Sequence, residues 1–127
     1  MADQESPFDP AKYKNAQREQ WNKDGAAWRR QTPTLERWYG PLTRQMLELA
    51  GIRPGQRILD IAAGAGEPAV SAAERVGPGG YVLATDISEG IVELALQVAR
   101  ERGLKQVETR VMDGEKLDLP DASFDAV

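Results

Sequence analysis

The 127-residue sequence contains no cysteine and no histidine. The lack of cysteine excludes disulfides, thiolate nucleophiles and cysteine-based zinc sites within these residues. The lack of histidine excludes histidine-based catalytic triads, histidine general bases and imidazole metal ligands. No apolar run approaches the roughly 18 residues of a membrane-spanning helix, and the first residues lack the basic and apolar regions of a secretory signal. We therefore expect a cytoplasmic protein without a membrane partner, and any catalysis must use carboxylates, Tyr, Lys, Arg, backbone groups or a bound cofactor.

Basic side chains are sparse in most of the chain. The net charge is −4, from 16 basic and 20 acidic residues. Residues 1–40 carry seven basic and six acidic side chains, which leaves nine and fourteen for residues 41–127. Because binding to a phosphate backbone depends on clustered Lys and Arg, we expect no nucleic-acid partner.

The first fifty residues show helical spacing of apolar side chains, interrupted by Gly and Pro. Asp9-Pro10 has the form of a helix start, because Asp accepts from a free amide and Pro fits the first helical position. Breaks follow at Asp24-Gly25, Thr32-Pro33 and Gly40-Pro41. The pattern predicts three or four short helices that form an N-terminal helical cap over residues 1–51.

From residue 52 onward, short apolar runs alternate with helical patterns. Helices are predicted over about 67–76 and from an N-cap at Ser88 to Gly103. Strands are predicted at Arg57–Ile61, Tyr81–Thr85, Val107–Val111 and from Phe124. Strand–helix alternation with short loops predicts an α/β fold with a Rossmann-like parallel sheet.

This alternation covers only the first half of a doubly wound sheet, which consists of two βαβαβ halves. Residues 56–113 supply one half, and Val127 lies a few residues into the fourth strand. We expect that strand to lie beside the first one and to leave an unpaired edge. The sequence is interpreted as a truncated piece of a longer protein, or as a chain completed by a second copy in a homodimer through the open sheet edge. A naturally small complete domain is the alternative.

A glycine loop follows the first strand, with Gly64 and Gly66 two residues apart. The motif from Gly64 to Ala69 satisfies the relaxed dinucleotide fingerprint, and Asp86 lies 20 residues beyond Gly66, where a ribose-binding acid belongs. An NAD(P)-binding Rossmann protein is therefore one hypothesis. However, Glu67-Pro68 puts a carboxylate where a pyrophosphate would bind and removes an amide donor. With Asp60 as a second acid, the residues favour a positively charged, phosphate-free ligand that carries a ribose.

These segments resemble class I S-adenosylmethionine-dependent methyltransferases, in particular the ubiquinone/menaquinone-biosynthesis C-methyltransferases and related small-molecule enzymes. The resemblance covers residues 52–127, with motifs at Ile58–Pro68, Val82–Ser88 and Val111–Val127. It implies S-adenosyl-L-methionine as the cofactor and methyl transfer to a carbon, oxygen or nitrogen of a small-molecule acceptor, without a metal. No general base is identified. A catalytically inactive, self-associating fragment is a further hypothesis.

The resemblance also implies roles for individual residues. The methionine end of the cofactor would be held by Asp60, Ala62, Gly64 and Gly66. Asp86 would bind both ribose hydroxyls and Ile87 would lie against the adenine face. Asp113 would accept from the adenine amino group, flanked by Gly114 and Glu115.

Each of these assignments has a structural alternative. Asp60 could cap a loop, Asp86 could cap the helix beside Ser88, and Asp113 could be a turn residue. In the cap, Trp28, Trp38 and Tyr39 are candidate substrate contacts, although large aromatic side chains at such positions more often serve packing.

Overall fold

A computed structural model describes residues 7–127, so the first six residues of the predicted cap lie outside the described residues. Within this range the helices are α1 (Pro10–Leu49), α2 (Ala69–Val76) and α3 (Glu89–Glu101). The strands are β1 (Arg57–Ile61), β2 (Tyr81–Asp86) and β3 (Val107–Val111). In residues 7–127, no helix combines the length and the apolar character needed to span a bilayer.

The three strands form one parallel sheet in the order β1-β2-β3. Ile58 pairs with Val82, and Val82 pairs with Val107 in the next strand. On the other side of β1, Ala126 forms a parallel bridge with Ile58, and its carbonyl accepts from the Leu59 amide at 3.0 Å. The predicted α/β class and the parallel sheet are confirmed. The segment after Phe124 lies beside β1 as predicted, but it forms a single bridge at Ala126 and not the predicted fourth strand.

The core lies on both faces of the central strand. Val82, Leu83 and Ala84 are consecutive in β2 and almost completely buried. Because neighbouring side chains in a strand point to opposite faces, both faces of the sheet are covered. The buried residues of α2 include Ala69, Ala72 and Ala73, whose small size allows the helix to lie close to the strands.

The N-terminal segment differs from the sequence prediction. α1 is continuous over 40 residues, with Pro33 and Pro41 inside it, so the prediction of three or four short helices is wrong. The helix start is as predicted, since the Asp9 carboxylate accepts from the amides of Ala11 and Lys12 at 2.9 and 3.1 Å.

Ion pairs with the C-terminal end of α3 lie on both sides of Pro33. Ion pairs join Arg29 to Glu101 and Glu36 to Arg102, one before and one after Pro33. They hold both flanking segments in line against a second helix. A proline costs roughly 3 kcal/mol inside a helix. Partly exposed ion pairs recover at most about 1 kcal/mol each, and the packing of Trp28 against Val70, Leu94 and Val98 adds an apolar contact on the same segment.

Candidate cofactor site

The loop after β1 takes a conformation that exposes its backbone. Ala62, Gly64 and Gly66 all have positive φ angles, of 57°, 60° and 119°. A Cβ at Gly64 would meet no heavy atom within 4 Å, whereas a Cβ at Gly66 would contact Val70 at 3.4 Å. Gly64 therefore presents bare backbone to open space, and Gly66 lets α2 pack closely against the loop.

The Asp86 carboxylate joins this loop to the end of β2. Its Oδ2 accepts from the Gly64 amide at 3.2 Å, and its Oδ1 accepts from the Ser88 amide at 3.1 Å. The hydrogen bond to the Ser88 amide is a local turn and not the helix cap that the sequence offered as the alternative role of Asp86, because the N-cap of α3 is Ser88. The same carboxylate also lies beside the glycine loop, with lone pairs left for a ligand. Ser88 caps α3 as predicted, since its hydroxyl accepts from the Ile91 amide at 3.2 Å.

Two acids at the glycine loop have buried oxygens without a hydrogen-bond partner. Across residues 7–127, Asp60 Oδ2 and Glu67 Oε2 are the buried side-chain oxygens in this state. Burial raises the pKa of Asp60 to about 6, although the Ala69 amide favours the charged form. Burial also raises the pKa of Glu67, against the opposing effects of Ser71 and Arg102. A cation placed at this loop would reduce the cost of burying these negative charges.

The third acid, Asp113, follows β3. Its Oδ1 accepts from the Glu115 amide at 2.9 Å, which is the turn role weighed above. Its Oδ2 accepts from the Lys14 ammonium group at 2.6 Å, and this hydrogen bond is the main reason why the pKa of Asp113 is lowered. Lys14 lies on α1, 99 positions earlier in the chain, and no local sequence signal connects the two residues.

These residues meet at a cleft of about 1280 Å³ between α1 and the carboxyl ends of the strands. Ligand pockets usually measure about 300–1,000 Å³, so the cleft has room for a cofactor and a second small molecule. Predicted site residues that line it are Ala62, Gly64, Asp86, Ile87, Asp113, Gly114, Glu115, Trp28 and Tyr39.

Three predicted residues lie elsewhere. Asp60 and Gly66 are not on the cleft wall, and Asp60 instead interacts with the start of α2. Trp38 is 71% exposed and does not reach the cleft. The sequence did not single out Leu35 and Met46, which line the cleft from α1.

The fold and the cleft define a Rossmann-like α/β domain, with acids at or just beyond the carboxyl ends of three adjacent parallel strands. The family described as "Methyltransferase domain" matches residues 58–127. The chain belongs to this family, and the comparison does not favour the NAD(P)-binding alternative.

Individual relatives agree with this assignment. The nocamycin O-methyltransferase of Saccharothrix syringae is 43% identical over 90 residues, which are 71% of this chain and 32% of that protein. The ubiquinone/menaquinone biosynthesis C-methyltransferase UbiE of Ectopseudomonas oleovorans is 40% identical over 85 residues, which are 66% of this chain and 50% of that protein. The chain therefore spans between a third and a half of the length of these relatives.

A solved structure shares the fold. The SAM-dependent methyltransferase of Aquifex aeolicus superposes with a TM-score of 0.59 at 32% identity, over 65% of this chain and 44% of that one. The likeness supports the predicted Rossmann-like architecture.

Proposed function

We propose that this chain binds S-adenosylmethionine in the cleft and forms the cofactor-binding part of a methyltransferase that acts on a small molecule. The observation that carries the proposal is the buried, unpartnered carboxylate oxygen of Glu67 on the cleft wall beside an open glycine loop, with a second such oxygen, that of Asp60, behind the wall. Burying such oxygens costs free energy unless a positive charge or a hydrogen-bond donor contacts them. The sulfonium and ammonium groups of S-adenosylmethionine are positive, and the molecule has no phosphate.

The same residues argue against a dinucleotide. A pyrophosphate binds at a helix N-terminus through free amides and the positive end of the helix dipole. Here Glu67 and Pro68 precede α2, so a carboxylate occupies the approach and one amide is absent. A diphosphate placed there would be repelled, because its negative charge would lie next to the negative charge of the Glu67 carboxylate.

Asp86 and Asp113 complete the proposed cofactor site. Asp86 has lone pairs available for the ribose hydroxyls, and Ile87 follows it on the cleft wall to cover a face of the base. Asp113, at the end of the neighbouring strand, would accept from the adenine amino group. The three strands are adjacent in the order β1-β2-β3. The methionine part of the cofactor would then lie at the end of β1, the ribose at the end of β2 and the adenine at the end of β3.

The reaction requires alignment more than acid–base chemistry. S-adenosylmethionine supplies an activated methyl group on its sulfonium. The residues of this chain would hold that group beside the acceptor and restrict water, which is how positioning accelerates an SN2 transfer. The acceptor would bind beside α1, where Trp28, Leu35 and Tyr39 line the cleft together with the charged residues Glu36 and Arg102, which favours a small molecule with both apolar and polar groups.

Titration calorimetry of the 127-residue chain with S-adenosylmethionine and with NAD tests the proposal. We expect S-adenosylmethionine to bind and NAD to bind more weakly or not at all. Tighter binding of NAD, or a diphosphate seated on the amides at residues 66–69, would overturn it.

The oligomeric state and the cellular location stay predictions. Light scattering checks the predicted homodimer, since a stable monomer would contradict pairing through the sheet edge. The location in the cytoplasm and the division of the chain after residue 51 are likewise untested.

A further inference from the structure

One face of α1 contacts the loops that carry the proposed cofactor-binding acids. Lys14, Arg18 and Asn22 are four residues apart, so they lie on the same side of the helix. The Arg18 Nε donates to the Ile87 carbonyl at 3.2 Å. Asn22 Oδ1 accepts from the Ser88 hydroxyl at 2.6 Å and from the Gly90 amide at 3.1 Å. These contacts fix the register of α1 against the loop after β2 and the start of α3.

Lys14 occupies the end of this face and reaches the cleft. Its ammonium group is 2.6 Å from Asp113 Oδ2 and 2.5 Å from Glu115 Oε2, and its side chain is 29% exposed. Lys14, Asp113 and Glu115 all line the cleft wall. An ammonium group has three N–H donors. Two of them serve the carboxylates, which leaves one for a molecule in the cleft.

The ion pair contributes little to folding in its present setting. Partly exposed pairs between Lys and carboxylates typically add at most about 1 kcal/mol to stability. A bound base that covers the pair would exclude water from it and strengthen the interaction. The same base would leave Asp113 desolvated and uncompensated if Lys14 were absent, which is unfavourable.

We propose that Lys14 is a further cofactor-binding residue, which recognises the base of the nucleoside together with Asp113. This inference depends on the proposed function, because it requires an adenine at the end of β3. Adenine presents an amino donor with accepting ring nitrogens on either side of it, N1 and N7. Asp113 can only accept and Lys14 can only donate, so the pair is complementary to the amino group and one flanking nitrogen. The pair therefore determines specificity for the base.

The experiment measures affinities of the 127-residue chain for S-adenosylhomocysteine and for its 1-deaza and 7-deaza analogues by calorimetry. Each analogue lacks one of the two flanking nitrogens. The variants are Lys14→Met, Lys14→Arg and the matched control Lys12→Met, which removes the same charge from an exposed position on α1. Thermal unfolding of each variant serves as the measure of folding.

We expect Lys14→Met to weaken S-adenosylhomocysteine binding about tenfold, the usual effect of losing a hydrogen bond from a charged group. Lys14→Arg should retain most of the affinity, and Lys12→Met should bind as the unmodified chain does. One of the two deaza analogues should bind the unmodified chain more weakly than S-adenosylhomocysteine, and this difference should disappear in Lys14→Met. If Lys14 had a purely structural role, Lys14→Met would lower the unfolding temperature but would still discriminate between the analogues as the unmodified chain does.

Two outcomes separate failure of this inference from failure of the proposed function. If the unmodified chain does not bind S-adenosylhomocysteine, the proposed function fails and this inference fails with it. If the unmodified chain binds and Lys14→Met binds equally well, or discriminates between the analogues as the unmodified chain does, Lys14 does not read the base.

Discussion

α1 and the unit from β1 to β3 are held in place by different forces. α1 has one buried residue, Leu47, among its 40 residues, and besides the packing of Leu47 and Trp28 it is joined to the rest by ion pairs and polar contacts. In the sheet unit, β2 alone has four buried residues in succession. Apolar burial is the dominant favourable term in folding. The sheet unit therefore carries most of the stability, while α1 supplies side chains to the cleft.

The largest expected effect compares the same substitution in the two regions. Leu83→Ala removes a side chain that is 1% exposed, whereas Leu42→Ala removes one on α1 that is 63% exposed. We expect Leu83→Ala to lower the free energy of unfolding by about 2–5 kcal/mol, because it leaves a cavity. Leu42→Ala should change it by less than about 0.5 kcal/mol. Urea denaturation followed by circular dichroism measures both, and equal losses would contradict the division of roles.

Substitution of Asp60 tests whether a buried carboxylate that favours cofactor binding lowers the stability of the sheet unit. Its folded-state pKa of about 6 lies above the usual 3.8, so the folded chain holds its proton more tightly than the unfolded chain. Stability should fall as pH rises from about 4 to 6 and then stay level, with a total cost of about 3 kcal/mol. Asp60→Asn removes that cost.

We therefore expect Asp60→Asn to be more stable than the unmodified chain at pH 8 and equally stable near pH 4, as measured by urea denaturation. Its affinity for S-adenosylmethionine should decrease, since the neutral amide removes a negative charge from behind the cleft wall that attracts the positive groups of the cofactor. The exposed Asp118→Asn serves as control. A gain in stability of the same size at both pH values would show that burial of the charge is not the cause.

Asp86 links the glycine loop to the end of β2, and its loss should affect binding strongly. Asp86→Ala should weaken S-adenosylmethionine binding at least tenfold, since removing one charged hydrogen-bond partner costs about 1.5–3 kcal/mol. Asp121→Ala removes an exposed charge and should have no effect. Calorimetry compares the two, and an unchanged affinity for Asp86→Ala would refute the ribose assignment.

Two adjacent glycines probe packing between α2 and β2. A Cβ at Gly80 would lie 2.5 Å from Val76 and 3.0 Å from the Gln56 carbonyl, whereas a Cβ at Gly79 would meet nothing within 4 Å. We expect Gly80→Ala to lower the free energy of unfolding by about 1–3 kcal/mol through overpacking. Gly79→Ala should be close to neutral, and a similar loss in both variants would show that contact with Val76 is not the reason.

The smallest effect should have the opposite sign and occur in α1. Gly25 lies inside the helix, and a Cβ there would come no closer than 3.9 Å to the Gly90 carbonyl. Gly25→Ala should raise the free energy of unfolding by about 0.5–1 kcal/mol, because Ala loses less backbone entropy in a helix. Destabilisation, measured by the same urea titration, would mean that α1 is not a regular helix at this position.

The predictions from sequence held where local pattern and burial agree. The strands β1, β2 and β3 and the cap at Ser88 were predicted because apolar runs of five or six residues with short loops have few other solutions. α1 was not predicted as one helix, because Gly25, Pro33 and Pro41 are local signals, whereas the contacts that hold α1 in place come from residues of α2 and α3 that are distant in sequence. Lys14 was missed for the same reason, since its partners are 99 and 101 residues away.

The sequence by itself determined the α/β class, the glycine loop and the acids at the strand ends, because these follow from residue type and short-range spacing. The tertiary structure decided which acids face the cleft, which lie behind its wall, and which cation meets Asp113. Those outcomes depend on how a 40-residue helix lies across the sheet, and long-range packing and charge set that placement.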